Sequence, residues 1–370
     1  ADQLAEEMKA LGVSDVRVED KCYVYGKIPA TKGYEGKTKL GFIAHMDTVS
    51  DFADHAVNPI VHENYDGKDL KLADSGRTLE VSVFPHLPSL AGRTLITSDG
   101  TTVLGADDKA GVAEIMTLAE ALLAGEIPHG PISIGFTPDE EIGEGPDFFD
   151  VPGFDAEFAY TVDGGELGEI EYENFNAAAV TLTVHGVNIH PGSAKDKMKN
   201  AVLMAHQFIS LLPEAETPAH TGGYEGFYHV TDVSGNETEV VLHAIIRDHD
   251  REKFEARKTF VENAVRYLNG VWGDGSFQME LKDSYYNMKE KLLPHMELID
   301  NACAAMRAVG VEPEIVPIRG GTDGARLSWE RDIPCPNLCT GGANFHGVHE
   351  FVPVASMEKM VQVLVELVRC

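Results

Sequence analysis

LGADDKAGVAEIMTLAEALLAGEIPHGPISIGFTPDEE, residues 104–141, reads as turn, helix, turn, strand and acidic loop. Val112, Ile115, Met116, Ala119, Leu122 and Leu123 recur at helical spacing, which predicts a helix over 109–125 with Gly125 at its end. The apolar run 132–136 has the length of a buried strand. Two more such runs flank this unit, at 40–44 and at 158–162. Strands alternating with helices predict an α/β fold, a mixed and mainly parallel sheet sandwiched by helices. In such sheets ligands bind outside the carboxyl ends of the strands. The chemistry is therefore sought where the strands stop.

The pattern changes near Asn174. Residues 179–185 alternate, 239–246 and 277–281 read as further strands, and two helical stripes lie between them. One stripe is Met198, Ala201, Val202, Ala205, Phe208, Ile209 and Leu212; the other is Phe260, Val261, Ala264, Val265 and Leu268. Two helices on one face of a small antiparallel sheet is the natural reading. After Asp283 the α/β pattern resumes and ends in a helix carrying Met357, Met360, Val361, Leu364, Leu367 and Val368. The expected organisation is a catalytic domain, 1–173 with 284–370, interrupted by an inserted α+β domain, 174–283.

Lys and Arg number 30 against 60 Asp and Glu, a formal charge of -30. Nucleic acids and anionic membranes both need clustered cations, so neither is an expected partner. Metal cations are attracted by the same balance. No apolar run approaches the ~18 residues of a membrane span, and no signal peptide is evident. The first residues read as the later part of an amphipathic helix, so the chain is expected to start inside a domain. Five scattered cysteines, Cys22, Cys303, Cys335, Cys339 and Cys370, fit a reducing cytoplasm.

Five short segments carry the candidate chemistry. His45-Met46-Asp47 follows the run at 40–44, and alternation along an extended chain lets His45 and Asp47 point the same way. Asp107-Asp108 opens the helix, where two acids either cap it or reach a cation. Asp139-Glu140-Glu141 follows the strand at 132–136; three adjacent acids repel, unless one ligates a metal and a neighbour serves as base. Asp163-Gly164-Gly165 follows 158–162. His346-Gly347-Val348-His349-Glu350 precedes the last helix. Singly, each reads equally as a cap, a turn or a solvated loop. Together, two His and three carboxylates make a donor set suited to Zn²⁺, Mn²⁺ or Co²⁺. Two divalent ions carry +4, and Asp107, Glu141 and Asp163 supply -3, leaving Glu140 free to accept a proton from water.

At these residues the sequence resembles the co-catalytic di-zinc exopeptidase and deacylase family. The likeness extends to Gly222-Gly223-Tyr224-Glu225-Gly226-Phe227-Tyr228-His229 and to Ile318-Arg319-Gly320-Gly321-Thr322-Asp323-Gly324, and so spans nearly the whole chain. It implies a zinc-exopeptidase-like fold whose inserted domain serves as a lid and, in many relatives, a homodimer surface. It implies two zinc ions per subunit: His45 and Asp163 on one, Glu141 and His346 on the other, Asp107 bridging. His346 is preferred to His349 because members place the ligand four residues before the glutamate, here Glu350. Glu140 is then the general base and Asp47 orients His45. His190, in Asn188-Ile189-His190-Pro191-Gly192, is implied in stabilising the oxyanion, and Arg247 and Arg319 in holding the substrate carboxylate. A cis peptide is implied at Asp107-Asp108. The implied reaction is removal of the N-terminal residue of tripeptides by a zinc-bound hydroxide with the glutamate as base, in the cytoplasm. The family's N-terminal segment is not matched, and Ala343 stands where relatives often carry a larger aromatic. Rival readings are an N-acyl amino-acid deacylase or dipeptidase of the same clan, or a non-catalytic binding protein. A nucleotide-dependent dehydrogenase is disfavoured, since no strand is followed by Gly-x-Gly-x-x-Gly.

Overall fold

The computed structural model describes residues 1–73 and 75–370. The chain forms two compact units, Ala1–Tyr172 with Met288–Val316 and Thr322–Cys370, and Glu173–Asn287 with Pro317–Gly321.

The first unit is built on an eight-stranded sheet. Its middle is parallel: Ile132–Thr137 beside Leu40–His45, then Phe158–Gly164, then Asn337–Cys339. Val24–Ile28 and Ser14–Val18 add antiparallel strands at one edge, and Glu169–Glu171 with Glu314–Ile315 complete the other. The helix predicted over 109–125 spans Ala106–Leu123, starting earlier because the Asp107-Asp108 pair forms a non-helical first turn with a cis peptide between its members.

Both sheet faces are covered. Neighbouring residues of a strand point to opposite faces, and Phe42 stacks on Tyr160, whose hydroxyl donates to the Leu298 carbonyl in the helix Glu297–Ala308. Ile43 faces the other way, into a core with Tyr25, Phe149, Phe154 and Leu327 of the helix Asp323–Glu330. Burying such side chains is worth about 1.5–3 kcal/mol each. Residues 60–97 add short strands that the sequence patterning did not disclose; Ile60–His62 and Phe351–Pro353 flank Leu95–Thr97.

The second unit is a four-stranded antiparallel sheet in the order Phe227–Gly235, Glu239–Asp248, Asn176–His185, Phe277–Tyr285. Ala178, Val180, Leu182 and Val184 alternate inward, as do Val240, Leu242, Ala244 and Ile246. They bury against Met204 and Phe208 of the helix Ala201–Leu211 and against Phe254, Val261 and Leu268 of Arg251–Trp272. Asn200 and Asp250 cap these helices through backbone amides. Two details depart from the sequence reading. Phe260 is exposed on its helix, and Phe227–Gly235 is a strand whose polar, half-exposed residues concealed its period.

Candidate metal centre

The parallel strands stop at one edge, and the acidic loops leave from there. His45 is the last residue of Leu40–His45 and lies in register with Thr137. Asp163 is near the end of Phe158–Gly164. Asp107 stands at the start of the helix Ala106–Leu123, while Glu140 and Glu141 open the turn that follows Ile132–Thr137. His346 adopts φ 61° in the loop before Phe351–Pro353.

These residues converge around Asp107. His45 Nε2 lies 2.8 Å from Asp107 Oδ1 and 3.2 Å from Asp163 Oδ1. His346 Nε2 lies 3.0 Å from Asp107 Oδ2 and 3.2 Å from Glu141 Oε2. One carboxylate thus offers a separate oxygen to each of two imidazoles, and each imidazole faces a second carboxylate. His45 is 2% exposed and His346 56%, so one half of the arrangement is buried and the other open to solvent.

Asp47 organises two loops at once. Its carboxylate lies 3.3 Å from His45 Nδ1 and accepts the backbone N–H groups of Glu140 (3.2 Å) and Glu141 (3.1 Å). A carboxylate on the far ring nitrogen fixes tautomer and orientation in a histidine ligand. The Asp139-Glu140-Glu141 run is therefore not a loose acidic loop.

Two further acids support the centre. Glu350, 1% exposed, accepts from the amides of Leu104 (2.7 Å), Gly105 (2.8 Å) and Asp107 (3.0 Å). It anchors the turn that presents Asp107; the sequence reading used it only to choose between two histidines. Asp108 is buried with its oxygens on the amides of His45 (3.0 Å) and Gly111 (3.1 Å). His45, Asp108 and Asp163 are close enough to share an ion, but both Asp108 oxygens already accept from backbone, which favours Asp107 as the ligand. Adjacent acids with opposite duties are not separable from sequence.

The electrostatics call for cations. Burial opposes charge on His45, yet Asp163, Asp107 and Asp47 overcome it and hold its pKa well above the ordinary imidazole value. Hydrogen bonds to Asp107 and Glu141 push His346 up to about 10. Burial raises Asp163 to about 6, and raises Glu140 well above the usual range, with Asp163 and Asp323 adding to it. Two His and three carboxylates, with Asp107 central among them, fit divalent cations in donor type and charge.

A family model for Peptidase family M20/M25/M40 matches residues 104–369. The chain belongs to peptidase family M20/M25/M40. As an M20/M25/M40 member it is a hydrolase acting on peptides. Peptidase T of Clostridium novyi (strain NT) is 53% identical over 370 residues, covering 100% of this chain and 90% of the relative. Peptidase T of Caldanaerobacter subterraneus subsp. tengcongensis is 52% identical over the same shares. The crystal structure of aminopeptidase PepT from Bacillus cereus ATCC 10987 superposes with a TM-score of 0.80 at 25% identity, covering 100% of this chain and 91% of that one. The family model starts at Leu104, so His45 and Asp47 lie outside it, while Asp107, Glu140, Glu141, Asp163 and His346 lie inside. No helix among the described residues is long and apolar enough to cross a membrane. All five cysteines are free, with Cys335 and Cys339 buried.

His190, Arg247 and Arg319 belong to the second unit. His190 is exposed; its Nδ1 accepts from Gly192 N–H at 3.2 Å, which leaves Nε2 as the donor. Arg247 Nη1 donates to the Ile246 carbonyl at 3.0 Å, and the guanidinium lies over Tyr285 at 5.3 Å. Arg319 donates to the carbonyls of Gly223 (2.7 Å) and Glu225 (2.9 Å) and to the Thr221 hydroxyl (3.0 Å), and it stacks near Phe175 and Phe227. Its fork clamps the loop 221–225.

Proposed function

We propose that this chain is a metallo-aminopeptidase that releases the N-terminal residue of tripeptides, using two zinc ions. The observation that carries the reading is the Asp107 carboxylate, set between His45 and His346 with one oxygen toward each. His45 and Asp163 would hold one ion, Glu141 and His346 the other, and Asp107 both. Bound there, such ions polarise the scissile carbonyl and acidify the attacking water.

The chain's own groups do the rest. Glu140 accepts the proton of that water and returns it to the departing amine. Asp47 keeps His45 and the Glu140-Glu141 backbone in one geometry. Glu350 keeps the Asp107 turn from moving as charge changes in the site. Substrate binding falls to His190, Arg247 and Arg319. An Nε2–H donor on His190 suits an oxyanion, and a guanidinium suits the peptide's terminal carboxylate. Both terminal nitrogens of Arg319 are engaged by the loop 221–225, whereas Arg247 donates to backbone through Nη1, so Arg247 has more of its fork left for a carboxylate. Binding energy at the far carboxylate would then select peptide length.

The lid and homodimer roles of the inserted unit, and a cytoplasmic location, are part of this proposal. They are supported by the family resemblance and by the free cysteines.

The test is hydrolysis of Ala-Ala-Ala, Ala-Ala and acetyl-Ala-Ala-Ala by zinc-loaded protein. Release of alanine from the first alone is the expected result. Preferential cleavage of the acetylated peptide would favour a deacylase, and of Ala-Ala a dipeptidase.

A further inference from the structure

Asp323 opens the helix Asp323–Glu330 and is 3% exposed. It is none of the metal or substrate candidates. Its Oδ2 is buried without a hydrogen-bond partner; the Thr137 side chain is a near neighbour of the carboxyl, its hydroxyl donating to the Ala44 carbonyl at 3.5 Å. Thr137 ends the strand that delivers Glu140, and its carbonyl accepts Met46 N–H at 2.8 Å, next to His45. The loop that begins there returns over the same carboxyl. A Cβ at Gly145 would lie 2.6 Å from Asp323 Cγ and nearer still to both carboxyl oxygens. The Gly145 φ is not in the left-handed region, so glycine is needed at this position for room and not for backbone shape.

The surrounding contacts hold the loop onto this helix. Arg326 donates to the Gly143 carbonyl and to Asp147, Arg331 donates to the carbonyls of Pro146 and Asp147, and the Tyr23 hydroxyl donates to the Gly145 carbonyl. One buried carboxyl therefore lies against the return of the loop after Glu140 and beside the strand end before it. A charged carboxylate with an unpartnered oxygen at that depth is strongly disfavoured by desolvation, an uncharged acid far less so.

We infer that Asp323 is a positioning residue for the general base: as an uncharged acid it sets the path of residues 137–145 and so the place of Glu140. The inference rests on the assignment of Glu140 as base. Burial also raises the Asp323 pKa, to about 7, which keeps the neutral form accessible near neutral pH.

The experiment compares Asp323→Asn, Asp323→Ala, Gly145→Ala and the double variant Asp323→Ala/Gly145→Ala. Readouts are kcat and KM on Ala-Ala-Ala, zinc per chain and the thermal midpoint of the metal-free protein. Asn mimics the neutral acid and is expected to keep kcat within about threefold. Asp323→Ala and Gly145→Ala are each expected to lower kcat ~100-fold, the scale of a misplacement near 1 Å, with KM and zinc content unchanged. The added methyl fits once the carboxyl is gone, so the double variant should be no worse than either single one. Asn as damaging as Ala, an Ala variant with normal kcat, or effects that simply multiply would each overturn the inference. If the wild-type protein leaves Ala-Ala-Ala uncut, the aminopeptidase reading fails instead. The midpoints then decide separately whether Asp323 and Gly145 are coupled, and additive midpoints would overturn the inference.

Discussion

At the scale of single residues, the account depends on acids that sit side by side and do different work. Asp107 faces two imidazoles while Asp108 faces two backbone amides. Glu141 faces His346, while Glu140 is the proposed base. Glu140→Gln is expected to retain zinc and lose ~10²–10⁴ in kcat, the usual worth of a general base; elemental analysis alongside steady-state rates checks both halves. Asp47→Asn weakens the hold on His45 and is expected to lower zinc affinity ~10–100-fold, measured by competition with a chelating dye. Four metal candidates could be read as a group in the sequence because each ends a strand, follows one or opens a helix at one edge of the sheet; His346, in a loop, was reached through the family resemblance. Asp323 and the clamp made by Arg319 were not legible, because their meaning depends on loops distant in sequence, 143–147 and 221–225.

At the scale of elements, strand ends place the site and helix packing keeps it there. Gly111 lies one turn into the helix that carries Asp107. A Cβ on it would sit 3.0 Å from Asp108 Cγ and closer still to the Val162 carbonyl oxygen, so only glycine lets the helix approach the Asp163 strand. Gly111→Ala is expected to cost about 1–3 kcal/mol, measured by denaturant unfolding, with zinc lost alongside. In the second unit, Lys258 on the long helix reaches Asp283 at 2.9 Å, and Tyr286 donates to the same carboxylate at 2.8 Å. Burial pushes the Asp283 pKa up, but these partners outweigh it and hold the carboxyl below its usual range. Its contribution is therefore present above about pH 4 and is lost as pH falls through the lower folded value. Asp283→Asn should lower stability at pH 7 by under about 1 kcal/mol, and the gap from wild type should close in acid. Long apolar periods made the main elements readable. Phe227–Gly235 and the short strands of residues 60–97 escaped because three-residue or half-exposed strands show little period.

At the scale of the whole chain, an acidic protein of formal charge -30 gathers Asp107, Glu140, Glu141 and Asp163 at the carboxyl edge of one sheet. If the clustered acids bind metal as proposed, metal should stabilise the folded state by mass action, about 2.7 kcal/mol at a free concentration of 100 times Kd. The most direct test of the central claim, that Asp107 joins two cations, is zinc per chain by elemental analysis, for wild type and Asp107→Asn after equilibration at the same free zinc. Two zinc ions per wild-type chain, with the paired occupancy lost in Asp107→Asn, is the expected result. One ion or none in the wild type, or two in Asp107→Asn held as tightly as in the wild type, would contradict the account.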